Sequence, residues 1–84
     1  MKLNEMKNIG ENLAESLKNV GINTPEELAK VGSIEAAIRL DACANKLYAL
    51  EGAILDVRWH SIDKNHRNEL YQKYINEVNI RSSK

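Results

Sequence analysis

The amino-acid sequence predicts an all-α protein, a single small bundle of five or six short helices spanning residues 1–84. Two observations predict this fold class. Apolar residues recur with the spacing of amphipathic helices in successive segments, and no segment alternates apolar and polar residues as a half-buried strand does. Glycine, proline and capping residues separate these segments, so that most of the predicted helices have a local start or stop signal.

The chain is expected to open with a short helix over residues 3–7 that ends in a tight turn at Gly10. Glycine is expected there because such a turn calls for a positive φ or for close approach of another backbone segment. An amphipathic helix follows and is predicted to end at Gly21, because a left-handed residue commonly closes a helix. Its apolar face is formed by Leu13, Ala14, Leu17 and Val20.

The next two helices are predicted from their capping residues. Thr24 can accept hydrogen bonds from free N–H groups of the first turn, Pro25 suits the first helical position, and Glu27 completes a capping box. Ser33 is the expected N-cap of the following helix. The apolar residues of that helix are Ile34, Ala37, Ile38 and Leu40. Residues 41–45 are open to two interpretations, a bend or a direct continuation of this helix.

The most apolar segment, residues 47–57, is predicted to be the central and most buried helix. Its apolar residues cover more than one face of a helix, as expected for an element surrounded by others. Gly52 lies inside this segment and costs about 1 kcal/mol relative to Ala in a helix. We therefore expect a neighbouring helix to pack closely against Gly52.

A last helix is predicted over residues 64–78, with Ser61 or Asp63 as its N-cap. Its inward face is expected to consist of Leu70, Tyr71, Tyr74, Ile75 and Val78. Residues 79–84 are mostly polar, and we expect them to be frayed because chain termini are ordered only when they are tied down.

Charge and cysteine content exclude several classes of protein. Twelve basic and twelve acidic side chains give a net charge of zero, whereas strong nucleic-acid binders carry a basic excess. No apolar run approaches the roughly 20 residues that span a bilayer, and the N-terminus lacks the apolar core of a signal peptide. The single Cys43 excludes an internal disulfide and is expected to be a small buried hydrophobe. These features predict a cytoplasmic protein without membrane partners.

No residue pattern indicates catalysis. His60 and His66 have no spacing typical of metal ligands, and the serines lack the strand-turn-helix setting of a nucleophile. The sequence contains neither a phosphate-binding loop nor a dinucleotide fingerprint. It therefore predicts a protein that is not an enzyme, with no cofactor, no metal site and no small-molecule substrate.

The sole tryptophan suggests a contact surface. Trp59 lies between Arg58 and His60, and tryptophan and arginine are enriched among the residues that dominate binding energy at protein interfaces. These three residues are the candidate partner contacts. The alternative is structural, with the indole folded back to close the bundle and its N–H bonded to a carbonyl.

The turn at Gly10 suggests a second surface. Helix-hairpin-helix motifs aim backbone N–H groups of such a turn at a phosphate, typically with a hydrophobic residue between two glycines. Here Asn8 replaces the first glycine, and Glu11 brings a negative charge to the expected phosphate position. The alternative function is therefore weak, non-specific nucleic-acid binding. Its candidate phosphate contacts are Ile9, Gly10, Asn12, Lys64, Arg67 and Lys73.

Several ordered pieces of the sequence resemble the C-terminal domain of the TfoX (Sxy) competence regulators. They are Asn-Ile-Gly at 8–10, Val20-Gly21-Ile22, Thr24-Pro25-Glu26, Val31-Gly32, and Leu-Tyr-Ala-Leu-Glu-Gly at 47–52 leading to Trp59. The resemblance covers about residues 8–70 and implies an all-helical domain with a helix-hairpin-helix-like core. Full-length members are similar to regulators of natural transformation that act with a transcription activator, and they carry an α/β N-terminal domain.

No part of residues 1–84 resembles that N-terminal domain, so the expectation is a free-standing C-terminal domain. The resemblance supplies no catalytic residues. Together with the residue patterns, it predicts a regulatory domain that acts by binding a protein partner. A homodimer is a further expectation, because a small core gains stability by burying an apolar face against a second copy.

Overall fold

A computed structural model describes residues 1–82 of the chain, and within them it contains five α-helices, two short 3₁₀ helices and no strands. The α-helices are α1 (Glu11–Asn19), α2 (Pro25–Val31), α3 (Ser33–Leu40), α4 (Ala44–Leu55) and α5 (Lys64–Ser82). The 3₁₀ helices are Leu3–Glu5 and Trp59–Ser61. The prediction of an all-α bundle of short helices is confirmed. No helix in the described range has the length and apolarity needed to cross a bilayer.

Helix α4 lies at the centre of the bundle, as its composition predicts. It packs against α2, α3, α5 and the second 3₁₀ helix, while α3 also contacts α1, α2 and α5. The largest side chains that are fully enclosed are Leu3, Leu17, Ile22, Leu28, Leu47 and Leu50. They come from the first 3₁₀ helix, α1, α2, α4 and the loop after α1, so one continuous core joins the N-terminal segment to the central helix.

Local signals predicted α2 and its start well. Gly21 has a φ of +87°, and the Thr24 hydroxyl accepts a hydrogen bond from the Glu27 N–H at 3.1 Å. The capping box is only half formed, because the Glu27 carboxylate accepts from the same Thr24 hydroxyl at 3.4 Å and not from its backbone N–H.

Three residues other than glycine adopt the left-handed backbone conformation. Asn8, Asp41 and Asp56 have φ values of +70°, +51° and +60°. Asp41 therefore closes α3, which decides the open question at residues 41–45 in favour of a break. The expectation for Gly10 is wrong: its φ is −91°, and an added Cβ would meet no atom within 4 Å. The left-handed residue of this turn is Asn8, since asparagine tolerates that conformation better than most residues.

Two smaller expectations are also corrected. Ser33 is the first residue of α3 and not its N-cap, because Gly32, with a φ of +90°, occupies the cap position. Cys43 is exposed and not buried, since it precedes the first turn of α4. The backbone N–H of Lys46 in that turn lowers the pKa of the Cys43 thiol.

Helix α5 begins after Asp63, whose carboxylate accepts a hydrogen bond from the Asn65 N–H at 3.0 Å. The helix continues through Ser82, so the expected fraying is wrong for residues 79–82. Arg81 explains the extension, because its guanidinium pairs with Glu35 on α3 and with Glu77 on its own helix. Residues 83–84 lie outside the described part of the chain.

Candidate functional site

The side chain of Asn8 ties the N-terminal turn to the loop after α4. Its Nδ2 donates to the Val57 carbonyl at 2.9 Å and to the Ala49 carbonyl at 3.4 Å. Its Oδ1 accepts from the Trp59 backbone N–H at 3.2 Å. We call these three contacts the Asn8 bridge. Both the donor and the acceptor of this half-buried amide are therefore hydrogen-bonded, and the backbone of Trp59 is fixed in position.

Gly52 leaves the space that the Asn8 bridge occupies. A Cβ at this position would lie 2.5 Å from Asn8 Nδ2, 2.7 Å from the Val57 carbonyl oxygen and 3.2 Å from the Trp59 nitrogen. The close approach expected at Gly52 is therefore present, but a turn residue and a loop make it and not a neighbouring helix. The glycine in this central helix is required by the bridge that crosses over it.

The fixed loop presents a group of aromatic and cationic side chains. The Trp59 ring stacks with Tyr48 at 6.1 Å and with His60 at 4.1 Å between centroids. Trp59 and Tyr48 are half-buried, whereas Arg58 and His60 are exposed. We define the Trp59 surface as these four residues together with Arg67. The indole thus packs partly against the bundle and partly against the exposed His60, which combines features of the structural and the contact interpretation.

Arg67 reaches this surface from α5. Its guanidinium carbon lies 5.9 Å from the ring centroids of both Tyr48 and Trp59, within the range of cation–π attraction. The Nε atom of Arg67 is buried and has no hydrogen-bond partner. A candidate phosphate contact and the candidate partner contacts are therefore neighbours in space, although Trp59 and Arg67 are eight positions apart in sequence.

The remaining candidate phosphate contacts do not form one cluster. A cleft beside the N-terminal turn is lined by Gly10, Glu11, Asn12, Leu13, Ser16 and Lys46. None of the three basic residues predicted on α5 lines it, and the Ile9 N–H already donates to the Met6 carbonyl. The cation at this cleft is Lys46, which sequence reasoning did not select.

Lys73 lines a different cleft of about 400 Å³, between the α2–α3 turn and α5. There the Ser33 hydroxyl donates to Glu51 Oε1, and His66 Nε2 lies against Oε2, both at 2.8 Å. The carboxylate stands between the hydroxyl and the imidazole. The order of these groups differs from a catalytic triad, in which the imidazole contacts the hydroxyl, and the contacts join α3, α4 and α5.

Sequence reasoning selected Trp59 and its neighbours but missed what positions them. In the sequence, Asn8 is a departure from a glycine motif, and Tyr48 lies in a segment whose pattern predicts a buried helix. A usable signal was present, because the Asn-Ile-Gly and Leu-Tyr-Ala-Leu-Glu-Gly pieces hold two of the elements that meet at Trp59. Their contact spans about forty to fifty residues of sequence, a separation that no local pattern encodes.

Comparison with known proteins agrees with this architecture. A crystal structure of an uncharacterized protein from Listeria monocytogenes, in a triclinic form, is similar with a TM-score of 0.83 and 42% identity over 88% of this chain and 90% of that one. A tetragonal form of a Listeria monocytogenes protein of unknown function gives a TM-score of 0.80 and 42% identity, covering 88% of this chain and 96% of that one. No curated protein matches.

The family comparison covers most of the chain. The model of the TfoX C-terminal domain family matches residues 1–74, beginning before the turn at Asn8 and ending within α5. This range contains every residue of the Asn8 bridge and of the Trp59 surface. The TfoX C-terminal domain family is not a known enzyme family, and this chain belongs to it.

Proposed function

We propose that this chain is a cytoplasmic, non-enzymatic interaction domain that acts in regulation by binding a protein partner at the Trp59 surface. The observation that carries the proposal is the Asn8 bridge, which fixes the only tryptophan of the chain between an exposed arginine and an exposed histidine. Membership in the TfoX C-terminal domain family supports a regulatory role of the kind found in competence regulators.

The physical argument is preorganisation. A loop that is already ordered loses less conformational entropy when a partner binds, so more of the contact energy appears as affinity. Tryptophan and arginine supply large contact areas and directional charge at interface centres. The Asn8 bridge orders the backbone at Trp59, and the stacking of His60 and Tyr48 orders its side chain.

The test is capture from a lysate of the organism that encodes the protein. The double variant Arg58→Ala, His60→Ala removes two exposed side chains and leaves the Asn8 bridge intact. A matched control, Lys18→Ala, Asn19→Ala, changes two exposed residues at the end of α1. We expect the wild type and the control to retain the same protein partner and the Arg58, His60 variant to lose most of it, measured by quantitative mass spectrometry. Equal recovery by all three proteins would contradict the proposal.

A second candidate function is weak, non-specific nucleic-acid binding at the N-terminal turn. The observation that favours it is the cleft in which Lys46 lies near Gly10 and Asn12, at the start of α1. The test is binding of labelled duplex and single-stranded DNA at low salt and at about 0.2 M salt, because phosphate contacts weaken as salt rises. Binding that falls steeply with salt and is lost in Lys46→Ala supports this candidate. No binding at low salt removes it.

A further inference from the structure

The arginines of this chain fall into two groups. Arg39 and Arg81 pair with the carboxylate of Glu35. Within residues 1–82, no carboxylate lies within 4.0 Å of the guanidinium of Arg58 or Arg67. The two arginines without a carboxylate both belong to the Trp59 surface. One side of a chain with zero net charge therefore carries its uncompensated guanidinium groups.

Of these two arginines, Arg67 gives more information about the ligand that the Trp59 surface would bind. Its guanidinium lies over two aromatic rings, and its Nε is buried without a hydrogen-bond partner. A buried N–H without a partner costs free energy, and a carboxylate recovers that cost when the atoms covering Nε move and one of its oxygens accepts the Nε hydrogen. The fork of an arginine matches the two oxygens of a carboxylate in bidentate geometry.

The surrounding charge also favours an anionic partner. Residues 58–67 contain three basic residues, Arg58, Lys64 and Arg67, and one acidic residue, Asp63, while Asp56 and Glu69 flank the segment and Asp56 is paired with Lys7. The Asp63 carboxylate accepts the Asn65 N–H at the start of α5, so it is engaged in capping that helix. The attraction of this segment to an acidic partner is therefore local to Arg58, Lys64 and Arg67, and it is strongest at low salt.

We propose that the partner at the Trp59 surface is an acidic protein segment that places a carboxylate on the guanidinium of Arg67. This inference rests on the proposed function and adds the chemistry of the partner. A protein segment is favoured over single-stranded nucleic acid because binding of bases needs open aromatic faces. Here Tyr48, His60 and Arg67 already lie against or near the Trp59 ring.

The test is fluorescence anisotropy with three labelled probes: a short peptide in which Glu alternates with Gly, the same peptide with Gln for Glu, and a short thymidine single strand. We expect the Glu peptide to bind most tightly at low salt. Arg67→Ala is expected to weaken that binding about tenfold, and Arg67→Lys to weaken it less, because lysine keeps the charge but loses the fork. Arg39→Ala, which removes the same charge from an arginine that is already paired, is the matched control.

Equal binding of the Glu and Gln peptides, or equal losses in Arg67→Ala and Arg39→Ala, would overturn the inference. Tighter, Arg67-dependent binding of the thymidine strand would overturn it in favour of nucleic acid. If Arg67→Ala does not fold, Arg67→Lys and Arg58→Ala decide the same question. Failure of the Glu peptide alongside partner capture that depends on Arg58 and His60 would reject the acidic partner and leave the proposed function standing.

Discussion

At the scale of single residues, Asn8 shows why this turn differs from a glycine turn. Glycine would adopt the positive φ without steric strain, but it has no side chain to join the loop after α4. Asparagine accepts the left-handed conformation and offers a donor and an acceptor on one planar group. The residue that departs from the phosphate-binding pattern is therefore the one that organises the Trp59 surface.

The first prediction concerns Gly52. Helix propensity alone favours Gly52→Ala by about 1 kcal/mol, since alanine is the better helix former. The added Cβ would meet Asn8 Nδ2 at 2.5 Å and the Val57 carbonyl at 2.7 Å, and the latter is backbone that cannot rotate away. We expect the clash to outweigh propensity, so that the variant loses about 1–3 kcal/mol in the free energy of unfolding, measured with urea.

Gly52→Ala in an Asn8→Gly background tests whether contact with the Asn8 side chain causes the loss of stability. Removing the Asn8 side chain removes one of the two closest contacts, so the cost of Gly52→Ala is expected to fall in that background. A stabilising effect of Gly52→Ala in the wild type would show that the loop is free to move and that the Asn8 bridge does not constrain it.

At the scale of elements, the end of α5 depends on α3. Arg81 donates to Glu35 across the two helices, and Arg39 donates to Glu35 at 3.1 Å along α3. These two guanidinium groups hold the pKa of Glu35 below its ordinary value of 4.5, with the Arg81 hydrogen bond as the larger cause. One carboxylate thus connects two helices that are 46 residues apart at these positions.

The second prediction is a pH dependence. Because the pKa of Glu35 is lower in the folded than in the unfolded chain, its stabilisation is complete above 4.5 and is lost as pH falls through the folded value. Urea unfolding from neutral pH to below 4.5 is expected to show a smaller acid loss for Glu35→Gln than for the wild type. Glu15→Gln, an exposed carboxylate without an ion pair in residues 1–82, is the control. Parallel curves for all three proteins would contradict the assignment.

Features that depend on neighbouring residues could be predicted from the sequence, and features that depend on contacts between helices could not. Gly21 adopts a positive φ after α1 and Thr24 caps α2. Both roles involve only residues close in sequence, so they could be predicted from spacing alone. Ser33 and Arg81 could not be predicted in this way, because each bonds a residue on another helix. Ser33 was expected to cap its own helix, and the last turns of α5 were expected to fray. In α5 the tertiary partner Glu35 outweighs the local tendency to fray, and in α3 Gly32 takes the cap position while the Ser33 hydroxyl bonds Glu51.

At the scale of the whole molecule, the candidate site is assembled from four distant parts of the chain. The N-terminal turn supplies Asn8, α4 supplies Tyr48, the second 3₁₀ helix supplies Trp59, and α5 supplies Arg67. The bundle could be predicted from helical periodicity, and Trp59 from its composition. The assembly could not, since it depends on how α4 and α5 pack. Within this assembly the Asn8 bridge fixes the backbone of Trp59.

Amide hydrogen exchange at Trp59 tests that claim most directly, because its N–H donates to Asn8 Oδ1. Asn8→Gly keeps the left-handed turn and removes the bridge, whereas Asn8→Asp keeps an acceptor for the Trp59 N–H. We expect exchange at Trp59 to be about tenfold faster in Asn8→Gly and less affected in Asn8→Asp, after correction for global stability at Leu50. Unchanged exchange at Trp59 in Asn8→Gly would show that the Asn8 bridge does not fix the Trp59 backbone.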